Sequence, residues 1–289
     1  MNKNIILAVT TVAIILVSVA VYFYSYPQQK RQPAAAIVDQ LSGSQLTSSS
    51  RYPNQTFVET AKALLYTRFS AIDYYSDNAT VYSYRDLPTL GYKMIIWRAH
   101  SALDNETESI AVSTSEAYGS KDYAEYAHGE LTLCKIAGDP RMYFAITPKF
   151  IKESMNGRFE DTIVILMSCN GLRPDYLGTA EAFKAKGVRA FISWDGWVDP
   201  PDNDQGITLL LQHLIPGNET IRTAIDKIPS YSSLIGGPVK LDLYPNNDPQ
   251  STEYRIPSYK QDNTTSDTAT IAVTKMKKIR IPRRSEKAH

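Results

Sequence analysis

Cys169 and His100 are the side chains best placed along this chain to act as a nucleophile and its base. Each follows an apolar run: Cys169 comes after Ile163–Met167 and Ser168, and His100 comes after Tyr92–Trp97, Arg98 and Ala99. Runs this short and this β-branched suit strands buried on both faces better than free-standing helices. In an open parallel sheet, the residues just past the strand ends collect at one edge, where α/β proteins build their sites. If the two strands are neighbours, their backbones lie about 5 Å apart. An imidazole at that separation can take the proton of a thiol. The backbone N–H groups of Ser101 and Cys169 would then be the donors for a carbonyl oxygen as it gains negative charge.

Other assignments compete for the same residues. Cys134 is the only other cysteine, so a Cys134–Cys169 disulfide is open in an oxidising compartment, and Cys169 could equally be a plain buried thiol. His128 with Gly129 is a second candidate histidine, but Asp122–Ala127 before it does not read as a buried strand. No Cys or His pair has the spacing of metal ligands, so no metal is expected, and acyl transfer by a thiol and an imidazole calls for no organic cofactor.

The elements that must carry these residues follow from pattern. Ala34–Leu41 (AAAIVDQL) suits a first strand. Phe57, Ala61, Leu64, Leu65, Phe69 and Ile72 recur as on one face of a helix, and Thr80–Tyr84 alternates like a strand. The stretch near 102–147 reads as an inserted hairpin region, followed by a helix opened by Thr147-Pro148. Leu177–Lys186 suits a helix stopped by Gly187, Val188–Trp194 a further buried strand, and Asp195–Asp204 an acidic loop. Ile207–Ile215 and Thr220–Ile228 suit two closing helices, and Thr268–Thr274 a late strand. Strands separated by helices predict an α/β fold with a mostly parallel central sheet.

Composition narrows the function classes. A formal net charge of +1 over 289 residues gives no reason to expect nucleic acid, and the basic stretch Lys275–His289 reads as a solvated tail. Ile5–Tyr24 is uncharged and long enough to cross a bilayer, with Lys3 before it, Lys30 and Arg31 after it, and a belt of tyrosines at its far end. A single N-terminal transmembrane anchor over residues 1–26 is expected, with a cleaved signal peptide as the rival. Sequons at Asn54, Asn78, Asn105, Asn218 and Asn263 fit a soluble domain that faces outward and could be glycosylated. The organisation expected is an anchor, a linker over 27–33, one α/β domain over 34–245, and a polar, basic extension over 246–289.

The order of these features resembles the caspase-like cysteine peptidases of clan CD, which include gingipains, separases and CHAT domains. It comprises a hydrophobic strand, His with a small residue, a long insert, a second hydrophobic strand and then Cys. Downstream, Gly187–Trp194 (GVRAFISW), Trp197-Val198-Asp199, the helix Ile207–Ile215, Pro216-Gly217 and Thr220–Ile228 are similar in order to the gingipain and CHAT block, so the likeness covers about residues 34 to 228. The resemblance implies a caspase-like αβα sandwich, Cys169 as nucleophile, His100 as base and a thioester intermediate. It departs from the family pattern at Ser101, where Gly is usual; a turn that needed positive φ would be disfavoured there. Asp195, Asp199, Asp202 and Asp204 stand where relatives that cleave after Arg or Lys carry a specificity acid, and a carboxylate there would pair a substrate guanidinium. Asp199, with Asp195 and Trp197, is the substrate-binding candidate; a merely solvated loop, and Trp194 and Trp197 packed in the core, are the plainer alternatives. The function implied is a membrane-anchored, outward-facing cysteine endopeptidase acting on polypeptides. The alternative is an inactive caspase-like domain serving as a surface binding or scaffolding module.

Overall fold

The computed structural model describes residues 34–43, 52–104, 107–119, 121–124, 126, 128–233 and 235–260. In chain order its elements begin with β1 (Ala34–Asp39), α1 (Gln55–Leu65), β2 (Ala71–Tyr75), α2 (Val81–Asp86) and β3 (Tyr92–Arg98). Four strands follow, β4 (Ser101–Asp104), β5 (Ser109–Ala117), β6 (Leu131–Lys135) and β7 (Met142–Ile146), and then a short π-helical turn at Phe150–Ser154. The second half holds β8 (Thr162–Met167), α3 (Gly178–Ala185), β9 (Val188–Trp194), α4 (Pro200–Leu214) and α5 (Ile221–Asp226). It closes with β10 (Tyr231–Ser233), β11 (Gly237–Val239), β12 (Leu241–Tyr244) and α6 (Pro249–Thr252).

Six strands form the central sheet in the order β12-β9-β8-β3-β1-β2. All pairings are parallel except β12 against β9. Every residue of β1 and β8 is buried, as expected for strands covered on both faces. Alternation divides each strand between two cores. Ala36, Ile95, Trp97, Val164, Leu166 and Phe191 pack with α2 and α3 on one face. Ile37, Met94, Ile96, Ile163, Ile165 and Ile192 pack with α1, α4 and α5 on the other. The fold is thus mixed α/β with a mostly parallel sheet between helical layers, as the pattern of apolar runs predicts.

The insert after His100 is larger than one hairpin. It is a second, antiparallel sheet in the order β4-β5-β7-β6, and β4 begins directly at Ser101.

Several expectations are corrected. Thr80–Tyr84 is helical at α2, not a strand: the Thr80 hydroxyl accepts from the Ser83 N–H at 3.2 Å, and the Ser83 hydroxyl accepts from the Thr80 N–H at 2.7 Å, which closes a capping box. The α1 helix ends at Leu65, and Ile72 lies in the half-buried strand β2 rather than on its apolar face. The stretch Asp195–Asp204 is not wholly a loop, since Pro200 starts α4 and places Asp202 in its first turn. Beyond Pro229 the chain adds β10, β11 and β12 and continues in packed form: Ile256 is buried, and the Tyr259 ring stacks on Phe69 at 5.3 Å. The expected anchor at 1–26, the linker at 27–33 and the strand at Thr268–Thr274 lie outside the described residues. Among the described residues, no helix is long and apolar enough to cross a membrane.

Under the carboxyl edge of the sheet sits a buried ion network. Arg98, last residue of β3 and 1% exposed, donates to Asp39 at the end of β1 (3.0 Å) and with two nitrogens to Asp204 on α4 (2.7 and 3.0 Å). The Asp204 carboxylate also accepts from the Asn54 amide at 2.9 Å, and Asp39 from the Ser42 hydroxyl at 2.6 Å. One guanidinium therefore ties β1, β3 and α4 together where solvent cannot screen it. Replacing Arg98 by Met should cost about 3–5 kcal/mol in chemical denaturation, because two buried carboxylates lose their cation. A loss under 1 kcal/mol would mean that the network does not hold these elements.

Candidate functional site

The site is made by one pairing. Strands β3 and β8 run parallel with Trp97 opposite Leu166 and Arg98 opposite Met167, and the ladder continues past both strands as the Ala99 N–H donates to the Met167 carbonyl at 3.4 Å. Two residues further along each chain stand His100 and Cys169. Both line one cavity of about 200 Å³, walled also by Leu41, Tyr52, Trp197 and Asp199. The Ser101 hydroxyl donates to the Cys169 carbonyl at 2.7 Å, a second tie between the two strand ends.

Each reactive group is held by main chain. The Cys169 thiol donates to the Val198 carbonyl at 3.5 Å rather than to the imidazole. Burial pushes the thiol pKa up, the Val198 contact opposes this, and the nearby Asp199 carboxylate adds to the rise. Burial pushes the His100 pKa down against a hydrogen bond to the backbone of Lys135, at the end of β6. Both shifts favour a thiol and a neutral imidazole, the protonation state a general base needs before it accepts a proton. Cys134 and Cys169 are both free thiols, so the disulfide alternative does not hold in this structure.

The turn after Cys169 is tightly fixed. Asn170 has φ +59°, and its N–H donates to the Gly196 carbonyl at 2.8 Å, while the Leu172 N–H donates to the Trp194 carbonyl at 2.9 Å. Gly171 has no room for a side chain: a Cβ there would lie 2.1 Å from the Ser193 hydroxyl oxygen. Cys169 is thereby presented on a turn braced by the end of β9.

Ser101 does not occupy the left-handed region, so Ser in place of Gly demands no forbidden turn. The His100 carbonyl accepts from the Ser113 N–H of β5 at 2.9 Å. Because the peptide is planar and trans, the Ser101 N–H points the opposite way, away from β5. That leaves it free of the insert sheet.

The acidic candidates separate. Asp199 lines the cavity, and as the residue before α4 its side chain caps nothing. Asp195 is corrected: its carboxylate accepts from the Lys240 N–H at 2.7 Å and fastens β12 to β9, outside the cavity wall. Asp204 is spent on Arg98. Trp197 walls the cavity, whereas Trp194 is core, its indole N–H donating to Asn203 at 2.8 Å. His128 lies in a different cleft, against Tyr126 and Leu131. Among the described residues, no group of three or more His, Cys, Asp or Glu is placed to hold a metal ion.

Sequence reasoning passed over Arg98, Gln40 and the Val198 carbonyl. The signal for Arg98 was present, since a charge closing an otherwise apolar run, with Asp39 closing another, calls for pairing once both strands are buried.

The electrostatics give a signed expectation. With Asp199 replaced by Asn, a negative charge beside the thiolate disappears, so the pH midpoint for alkylation of Cys169 should move down, and labelling at fixed pH should be faster than in the wild type. An unchanged or upward-shifted midpoint would place Asp199 away from the sulfur. No protein-family model matches the chain, and no curated protein sequence matches it.

Proposed function

We propose that this chain is a membrane-anchored, outward-facing cysteine endopeptidase of the caspase-like type. Cys169 attacks the scissile carbonyl, and His100 takes the thiol proton and delivers it to the leaving amine. The Ser101 and Cys169 N–H groups receive the oxyanion, and water then hydrolyses the thioester. The observation that carries this reading is the register of β3 on β8, which opens His100 and Cys169 onto one cavity. The caspase-like assignment rests on the resemblance in motif order, supported by a parallel sheet whose edge strand β12 is antiparallel.

Asp199 gives the substrate preference. It is a cavity-lining carboxylate with no hydrogen-bond partner among the described residues, and a P1 Arg or Lys would supply one. Leu41, Tyr52 and Trp197 supply apolar wall around it. The anchor rests on the charge-free run Ile5–Tyr24, and the outward orientation on the sequons. Asn54 is a poor glycosylation acceptor, because its amide caps α1 and binds Asp204; Asn78 and Asn218 are exposed.

One observation favours a second reading, a silent scaffolding domain: the thiol is bonded to Val198, not to His100. A peptide library with varied P1 residues separates the two. The wild type should cleave after Arg or Lys, Cys169→Ala should be inert, and Asp199→Asn should lose roughly 10- to 100-fold of the preference for basic over neutral P1. Cleavage confined to acidic or apolar P1 residues would remove the role of Asp199 and leave the dyad. Absence of any Cys169-dependent cleavage would favour the silent domain.

A further inference from the structure

We infer that Gln40 is a positioning residue for the His100 backbone and so for the oxyanion donor that follows it, a role that rests on the peptidase reading for its catalytic consequence. Gln40 comes directly after β1 and is 0% exposed. Its side-chain oxygen accepts the His100 N–H at 3.0 Å. Strand β1 flanks β3 on the side opposite β8, so His100 is gripped from both directions, by Gln40 on one side and through the Ala99 and Ser101 contacts to β8 on the other.

The amide orientation is dictated by its partner. A backbone N–H needs an acceptor, so the oxygen must face His100 and the Gln40 nitrogen must face elsewhere. That nitrogen is buried and has no partner. A buried donor left without an acceptor is destabilising. A Leu or Met would fill the space without that cost, so what distinguishes Gln here is the bond to His100.

The geometric consequence follows from peptide planarity. The Ala99–His100 peptide is fixed by Gln40 through its N–H, and the His100–Ser101 peptide by Ser113 through its carbonyl. Together the two bonds set the φ and ψ of His100 and hence the direction of the Ser101 N–H, while the imidazole keeps its own hydrogen bond to the Lys135 backbone. The neighbouring Asp39 binds Arg98 at the same time, so the last residue of β1 and the one after it clamp the end of β3 and the residues that follow it.

The test uses the full-length chain with Gln40→Met, which keeps the unbranched shape and removes the acceptor, and Gln40→Glu, which restores an acceptor oxygen. Amide hydrogen exchange at His100 should become faster in Gln40→Met and stay near wild type in Gln40→Glu, with the β8 amides unchanged. For a cleaved peptide, kcat should fall roughly 100-fold in Gln40→Met with KM within about threefold, as for loss of an oxyanion donor. Alkylation of Cys169 by iodoacetamide, which forms no oxyanion, should stay within about twofold, and Gln40→Glu should recover most of kcat. Unchanged exchange at His100, or a kcat loss matched by lost alkylation and not recovered by Glu, overturns the inference. If the wild type cleaves no peptide, the peptidase reading fails, while His100 exchange still decides whether Gln40 holds this backbone. Should Gln40→Met not fold, a Gln40→Glu protein with fast His100 exchange is the overturning result.

Discussion

The site depends on the parallel pairing of β3 with β8. A parallel ladder with Arg98 opposite Met167 carries both chains out of the sheet at the same level, so residues far apart in sequence emerge about 5 Å apart. A slip of one residue would turn every side chain of one strand to the wrong face. The register is well protected against that slip, because both strands bury alternate residues in two separate cores. Ile96 and Ile165 face one helical layer while Trp97 and Leu166 face the other, and neither set can exchange places without exposing apolar surface to the wrong neighbours.

Polar contacts then refine what the ladder sets roughly. Arg98 binds acids from β1 and α4, Gln40 binds the His100 N–H, Ser101 binds the Cys169 carbonyl, and Asn170 and Leu172 tie the turn after Cys169 to the end of β9. All lie within a few residues of the carboxyl edge. The pair itself is left electrically quiet, with burial lowering the His100 pKa and raising that of Cys169. In such a site proton transfer accompanies substrate attack rather than preceding it, and a carbonyl displacing the Val198 contact would bring the thiol into use.

How much of this was legible in the sequence varied with burial. Strands β3, β8 and β9 could be read almost to the residue, because two-sided burial leaves an unbroken apolar run with clear stops. Strand β2 is half-buried, and β10 to β12 are three or four residues long with Ser, Pro, Asp and Tyr among them, so neither length nor period marked them. Helix α2 was misread because VYSY alternates like a strand and its capping box closes with Ser83 in place of the usual Glu or Gln. Cys169 and His100 were visible because they follow readable strands. Asp195 and Asp204 looked like partners of Asp199, yet one caps a strand junction and the other neutralises Arg98; spacing along a chain cannot separate an acid that faces a cavity from one that faces a buried cation. Gln40 carried no sequence signal, since its role exists only once β1 lies beside β3.

The central claim is that His100 and Cys169 work as one unit. The most direct measurement is the rate at which a peptidyl electrophile with P1 Arg modifies the full-length chain, with the adduct mapped by mass spectrometry, in wild type and in His100→Ala. The account predicts a single adduct on Cys169, none on the buried Cys134, and a rate that falls at least 100-fold without the imidazole. Equal rates in the two proteins, or an adduct on Cys134, would contradict it.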